Sequence, residues 1–208
     1  MKILALLAPL LFSPLAWAAG PNPDREPPWI DVDKPAQERA VAAIRKLHGL
    51  IQTDGNTPGS PVVRVDLVCQ SQVTDDWVGH LQDLPHLRSL NLIGTEVSDA
   101  GLAHLRGLTE LADLSLNETR ITGLGLFYLK SMTRLRGLGL GDLDITDAGL
   151  AYLEGLTELR ELCLQDTKIT DAGLAHLQGL RKLEYLDLWS TQVTGRGLKN
   201  LVRLSNLR

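Results

Sequence analysis

The chain has 208 residues, a formal net charge of −4 and 22% charged residues. This acidic balance argues against nucleic acid and anionic membrane surfaces as partners, because both attract basic proteins. A basic partner is compatible with the charge but is not implied by it.

Residues 1–18 have the pattern of a secretory signal peptide. Lys2 precedes an apolar run that extends to Ala16, and residues 16–18 read Ala-Trp-Ala, a small-x-small cleavage site. The run contains two prolines and is shorter than a membrane span of about 20 residues. We therefore predict an exported protein that is secreted, periplasmic or at the cell surface, with no membrane insertion after cleavage. Cleavage would remove Lys2 and no acidic residue, so the formal net charge would change from −4 to −5.

Residues 19–61 divide into a flexible segment and a predicted N-terminal cap. Prolines stand among charged residues over 19–34, which is typical of an extended tether. Residues 35–61 are predicted to form a cap helix and a loop, since Pro35 suits the first helical position and apolar residues follow at helical spacing. The apolar positions are Val41, Ile44, Leu47, Leu50 and Ile51. Terminal units of repeat arrays need such a cover.

Residues 62–208 repeat one pattern: a partial copy of 25 residues, five copies of 24 residues and the start of a sixth. In one copy, Leu159, Leu162 and Leu164 alternate as in a strand, and the leucines after Ile169 recur at helical spacing. These features define a leucine-rich repeat array. We predict an α/β solenoid, a curved horseshoe with a parallel sheet on its concave face and short helices on its convex face. The copies open at Leu87, Leu111, Leu135, Leu159, Leu183 and Leu207.

Successive strands should stack about 4.8 Å apart and bury one continuous leucine column. Its members are Leu92, Leu116, Leu140, Leu164 and Leu188.

The links after the strands are equally regular. A serine or threonine stands where its side chain would cap a short helical turn. The aspartates that follow lie in the first turn of that helix, and we interpret them as structural. A glycine comes next and allows close approach of neighbouring repeats. Trp77 holds the glycine position in the partial copy, where it is predicted to belong to the cap. The capping residues are Ser98, Thr122, Thr146, Thr170 and Thr194.

The two cysteines, Cys69 and Cys163, lie four strand steps apart in the predicted stack, about 19 Å. That separation excludes a disulfide between them. We expect Cys69 to be a buried small apolar residue. Cys163 falls on the exposed sheet, as a free thiol or an intermolecular candidate.

Residues between the strand leucines should face the open concave side. Gly137, Gly139 and Gly141 leave one strand bare and predict a shallow trough, for which a neutral surface is favoured over a ligand groove. On another strand, Tyr185 and Trp189 flank Asp187, an arrangement typical of a contact surface. The alternative is that both rings pack under a C-terminal cap or a further repeat. The candidate binding residues are Glu161, Cys163, Gln165, Tyr185, Asp187 and Trp189.

We predict a protein-binding module that presents this concave surface to a protein or peptide, without a cofactor or metal, and not an enzyme. No catalytic or phosphate-binding motif is recognised, and the strand carboxylates lack an apolar pocket that would raise a pKa. The convex histidines are too few and too scattered for zinc. The alternatives are an envelope spacer, a polysaccharide-binding surface that uses Tyr185 and Trp189, and a redox or covalent attachment role for Cys163.

Two copies containing Thr-Asp-Ala-Gly-Leu, residues 145–156 and 169–180, resemble a class of exported bacterial leucine-rich repeat proteins. They are similar, more distantly, to the repeats of F-box substrate receptors and to ribonuclease-inhibitor-like horseshoes, although no F-box segment is recognised. The resemblance implies a curved solenoid that binds other proteins. The predicted signal peptide conflicts with an intracellular ubiquitin-ligase role, so that function is not carried over.

Two departures from the repeat pattern carry their own expectations. Threonine stands where many such families have an asparagine ladder, and Leu143 interrupts the threonine column. The last copy lacks its strand leucines, which should leave Leu198, Leu201 and Leu204 partly uncovered. This predicts an incomplete amino-acid sequence, a homodimer that forms through the open end, or fraying of the last turn.

Overall fold

The computed structural model describes residues 35–55 and 59–208, so the predicted signal peptide (1–18) and tether (19–34) lie outside the described residues. In the described part of the chain, the strands form one seven-stranded sheet whose order follows the sequence. Within the described ranges, no helix is long and apolar enough to cross a membrane. The strands are β1 Leu50–Thr53, β2 Val62–Asp66, β3 Ser89–Asn91, β4 Asp113–Ser115, β5 Gly137–Gly139, β6 Glu161–Cys163 and β7 Tyr185–Asp187.

The N-terminal helix α1 (Ala36–Lys46) buries Ala40 and Ile44 and packs against the 3₁₀ turn Gly79–Asp83. The expected continuation of this helix to residue 51 is wrong. His48 has a φ of 55°, and a Cβ at Gly49 would lie 2.7 Å from side chains of α1 and of the first repeat, so the chain turns there. Pro35 is the N-cap residue and not the first helical residue.

The segment after this turn forms β1, which pairs antiparallel with β2 and covers the outer edge of the repeat sheet. Leu50, which was predicted to be an apolar helix position, lies on this strand and is 71% exposed. The cap region therefore consists of a helix and an edge strand.

From β2 to β7 all strands are parallel and in register. The spacing of 24 residues seen in the sequence thus becomes a constant register in the sheet, as in the pairs Leu138↔Leu162 and Leu162↔Leu186. The strand leucines from Leu92 to Leu164 are buried as predicted, whereas Leu188 is only half-buried. In the described chain no strand pairs with the outer edge of β7, so this last leucine has a neighbour on one side only.

Short helices link the strands on the convex side, and most are 3₁₀ turns. The α-helices are α2 Asp75–Val78, α3 Asp99–Leu105 and α4 Asp147–Leu150. The 3₁₀ helices are Gly79–Asp83, Gly125–Ser131, Ala151–Leu153, Gly173–Leu177 and Gly197–Leu201.

A ladder of aspartates joins all but one of the described links to the next. Asp99 Oδ1 accepts a hydrogen bond from the Thr122 backbone N–H at 2.7 Å, and its Oδ2 accepts one from the Thr122 hydroxyl at 2.7 Å. The prediction that these aspartates are structural is confirmed, but the sequence did not show that they bond the following repeat. The same pairing joins Asp75 to Ser98, Asp147 to Thr170 and Asp171 to Thr194.

The recurrent link glycine makes room for this ladder. A Cβ at Gly101 would lie 2.6 Å from Asp75 Oδ1, so a side chain there would displace the carboxylate. The ladder has a gap at Thr146, because Gly123 occupies the aspartate position of the preceding repeat. Thr146 also forms no side-chain capping bond, unlike the predicted caps Ser98, Thr122, Thr170 and Thr194.

One backbone position after each of the parallel strands β2 to β7 has left-handed geometry, which the sequence did not predict. Cys69 lies at this position with a φ of 57° and is exposed, so the expectation of a buried cysteine is wrong. None of the residues at this position is buried. The other members are Gly94, Glu118, Asp142, Asp166 and Ser190.

Candidate binding face

The register of the sheet places the candidate residues in rows across the concave face. Asp113, Gly137, Glu161 and Tyr185 are aligned partners on four adjacent strands, and Ser115, Gly139, Cys163 and Asp187 form the next row. Gln165 and Trp189 follow at the carboxyl ends of β6 and β7. The structure therefore brings all six candidate binding residues onto two neighbouring strands and the turns that follow them.

Tyr185 and Trp189 are 54% and 70% exposed, the only exposed aromatic side chains on the described concave strands and turns. Asp187 lies between them: its Oδ1 accepts a hydrogen bond from the Trp189 backbone N–H at 2.9 Å, and its Oδ2 accepts one from the Tyr185 hydroxyl at 3.5 Å. The charge of Asp187 raises the pKa of Tyr185 above its ordinary value. Within the described chain neither ring packs under a cap.

The glycine strand β5 forms the floor of a depression of about 250 Å³. Asp113 and Asn117 stand on one side, and Glu161, Cys163 and Tyr185 stand on the other. The predicted trough is therefore present. Asn117 Oδ1 accepts a hydrogen bond from the Gly141 N–H at 2.7 Å, so part of the bare backbone is already covered.

Cys163 is half-buried on the wall of this depression. Burial is the main cause that raises the pKa of its thiol, and the charges of Asp187 and Asp142 raise it further. A raised pKa reduces the thiolate fraction at neutral pH, and the thiolate is the reactive form. This environment does not favour a redox or attachment role.

The concave carboxylates differ from the others in lacking cationic partners. On the links and edges, Glu158 pairs with Lys182, Glu184 with Arg160, and Glu96 with Arg120. Among the described residues, no ion pair involves the concave acids, and Lys or Arg is absent from the concave positions of β3 to β7 and the turns that follow those strands. These acids are Asp113, Glu118, Asp142, Glu161, Asp166 and Asp187.

The convex side holds a feature that the sequence analysis missed. Leu124 is 74% exposed and Phe127 is 53% exposed, and Phe127 contacts the rings of Tyr128 and Tyr152 edge to face. Neighbouring copies have alanine at both positions, which was the available signal. The convex histidines have other partners, since His176 bonds to Glu154 and His104 to Gln82.

The last described turn leaves apolar side chains uncovered in part. Leu198 and Val202 are exposed, whereas Leu201 and Leu204 are buried, so the expectation of uncovered leucines is correct only for Leu198. The predicted homodimer through this end stays a prediction.

Comparisons with known proteins agree on the architecture. A leucine-rich repeat family model matches residues 83–105, and no curated protein matches the chain. An internalin from Listeria monocytogenes is similar, with 24% identity and a TM-score of 0.56 over 62% of this chain. The leucine-rich repeat ectodomain of the Arabidopsis receptor kinase HAESA, solved with an IDA peptide hormone, has 21% identity and a TM-score of 0.50 over 62% of this chain.

This chain aligns with 36% of the internalin chain and 22% of the HAESA chain, so it spans only part of either structure. Sequence identity at this level establishes architecture and not ligand. The parallel strands in constant register, the buried leucine columns and these similarities together give the chain the leucine-rich repeat fold.

Proposed function

We propose that this chain is an exported binding module of the Thr-Asp-Ala-Gly-Leu repeat class that engages a protein or peptide through its concave face. The contact residues are Glu161, Cys163, Gln165, Tyr185, Asp187 and Trp189. The observation that carries the proposal is the pair of exposed aromatic side chains on one strand and its turn, with Asp187 hydrogen-bonded to both residues. Large apolar side chains on a soluble surface are typical of contact sites, and tyrosine and tryptophan dominate such contacts.

Binding rather than catalysis fits this surface. The concave acids lie on an open sheet, and the one cysteine among the candidate residues has a raised thiol pKa. The HAESA ectodomain was solved with a peptide hormone, which supports a peptide as the class of ligand for a fold of this kind.

The test is affinity capture from envelope extract and culture fluid with the protein and with its Tyr185→Ala, Trp189→Ala variant. The Leu124→Ala, Phe127→Ala variant is the matched control, because it removes two exposed apolar side chains from the convex face instead. We expect the concave variant alone to lose the partner, by about tenfold or more in affinity. Circular dichroism would establish that all three proteins are folded.

Undiminished capture by the concave variant would contradict a concave site and indicate another surface, whereas the absence of any captured partner would favour the spacer role. Protease treatment of the extract separates the remaining alternative, since a protein partner would be lost and a polysaccharide would survive. Survival of the captured material would replace the protein partner with a polysaccharide bound by ring stacking.

A further inference from the structure

The link between β4 and β5 departs from its neighbours at three positions on the convex side. Gly123 stands where the links before and after it have aspartate, and Leu124 and Phe127 stand where both have alanine. The first change removes a bond of the aspartate ladder, and the other two expose large apolar side chains. Departures from a repeat pattern that bring no gain in packing are typical of functional surfaces. The corresponding residues are Asp99, Ala100 and Ala103 in the preceding link and Asp147, Ala148 and Ala151 in the following link.

The missing aspartate leaves a depression of about 260 Å³ beside Thr146. The backbones of two repeats meet at its base, because a Cβ at Gly149 would lie 2.9 Å from the Cα atom of Gly123. Leu124 and Tyr152 line the depression with apolar surface. It is therefore a hole with a backbone floor and a partly apolar rim.

Phe127 forms a projection next to this depression. Its side chain is exposed, and its ring contacts Tyr128 and Tyr152 edge to face, with ring centroids 5.7 Å and 5.8 Å away. Tyr152 also lines the depression, so the projection and the depression are adjacent. The two tyrosines position the ring before any contact forms, which reduces the entropy lost on association.

We propose that this surface binds a second molecule of the same protein about a twofold axis, with Phe127 of each molecule in the depression of the other. In a twofold contact both molecules present the same patch, so the patch must be complementary to itself. A projection beside a hole on one face meets this requirement.

The charges around the patch are complementary in the same sense. Lys130 Nζ lies 5.4 Å from the ring centroid of Phe127, and Lys130 forms no ion pair within the described chain. Asp144 lies on the rim of the depression, where its Oδ1 contacts Lys168. Both members of that pair are exposed, so the carboxylate is open to a second cation. The twofold rotation brings Lys130 of each molecule toward Asp144 of the other, which favours this pairing over a random encounter.

The contact is small and should be weak. Two large exposed side chains per molecule are far fewer than the roughly 20–30 residues a side of a stable interface, so we expect a dissociation constant on the order of 0.1 mM. At micromolar concentration the protein is then mostly monomeric, and the Leu124→Ala, Phe127→Ala variant remains a valid control for partner capture. The inference goes beyond the proposed function, because a dimer formed through the convex side leaves both concave faces open.

Sedimentation equilibrium between about 10 µM and 1 mM tests for the dimer. The average mass should rise from that of one chain toward twice that value and no further, since a twofold contact closes on itself. Leu124→Ala with Phe127→Ala gives this link the alanines of its neighbours and should weaken dimerisation about tenfold or more.

A second variant fills the hole instead of removing the projection. Gly123→Asp restores the ladder residue beside Thr146 and should also weaken dimerisation about tenfold or more. The added Cβ would lie 3.3 Å from the Cα atom of Gly149, so a small backbone shift is needed, and circular dichroism would establish that the variant is folded.

Two further comparisons locate the contact. Leu198→Ala with Val202→Ala removes two exposed apolar side chains from the last turn and should change dimerisation less than about twofold. Lys130→Glu reverses the charge that faces Asp144 of the other molecule and should weaken dimerisation about fivefold, since two symmetric attractions become repulsions. Lys199→Glu makes the same change of charge on the last link and should have an effect below about twofold.

A protein that stays monomeric over the whole range would overturn the inference and leave this surface to a different partner. Undiminished dimerisation of the Leu124, Phe127 variant, loss in the last-turn variant alone, equal effects of the two lysine changes, or growth beyond two molecules would each overturn it as well. Dimerisation and partner capture depend on separate faces and separate variants, so the failure of either proposal leaves the other standing.

Discussion

On the convex links, aspartates bond to the next repeat, whereas on the concave strands of the same repeats acids stand without cationic partners. Asp147 accepts two hydrogen bonds from Thr170, but Glu161 on the following strand forms none through its side chain in the described chain. Carboxylates in the links therefore contribute to the stability of the stack. Carboxylates on the strands contribute little to it and are free to contribute to recognition.

The two faces are separated by the strand leucines, and a change there should have the largest effect. Leu162 is fully buried, so Leu162→Ala should lower the free energy of unfolding by about 2–5 kcal/mol, through lost burial and a cavity. Gln165→Ala, on the concave side of the same repeat, should change it by about 0.5 kcal/mol or less. Urea denaturation measures both, and similar losses would contradict the division of roles.

Thr146 provides a control for the aspartate ladder, because it has no aspartate partner in the preceding repeat. Thr170→Ala removes the bond to Asp147 and the cap on Ala172, so it should cost about 1–2 kcal/mol. Thr146→Ala removes no hydrogen bond and should cost about 0.5 kcal/mol or less. Thermal and urea unfolding of the two variants would show this difference, and equal costs would mean that the ladder adds no stability.

In the left-handed turn that follows each parallel strand, substitution of the non-glycine residue by glycine should make the protein more stable. Glu118 has a φ of 57°, so Glu118→Gly should stabilise the protein by about 0.5–1 kcal/mol by relieving backbone strain. Ser115→Gly in β4 of the same repeat has ordinary strand geometry and should destabilise by a similar amount. A stabilising Ser115→Gly, or a destabilising Glu118→Gly, would show that the turn is not strained.

The pH dependence of the ladder should be the smallest effect. Hydrogen bonds from the Thr194 hydroxyl and backbone lower the pKa of Asp171 below its ordinary value of 3.8. The folded state therefore favours the charged form, and the stabilisation is complete above about pH 3.8 and lost as the pH falls through the lower folded value. An NMR titration should show Asp171 protonating below 3.8, and Thr194→Ala should return its pKa toward the ordinary value.

The faces of the sheet could be assigned from the sequence because strand residues alternate and the copies have equal length. That rule alone places Tyr185, Asp187 and Trp189 together on the concave side. The same reasoning failed for Leu50, because its spacing from Ile44 and Leu47 suits a helix and only the turn at His48 and Gly49 shows where that helix ends. Cys69 was misplaced for a related reason, since a left-handed turn exposes it.

The solenoid, its repeat boundaries, its buried leucine columns and the composition of its concave face could all be predicted from the sequence alone. These follow from periodicity, which is a property of neighbouring residues along one chain. Three features became visible only in the stacked repeats: the acids that bond between repeats, the interruption of the ladder at Thr146, and the placement of Asp113 and Glu161 on either side of Gly137. Those features depend on register between residues 23 or more positions apart, and that register exists only after the repeats have stacked.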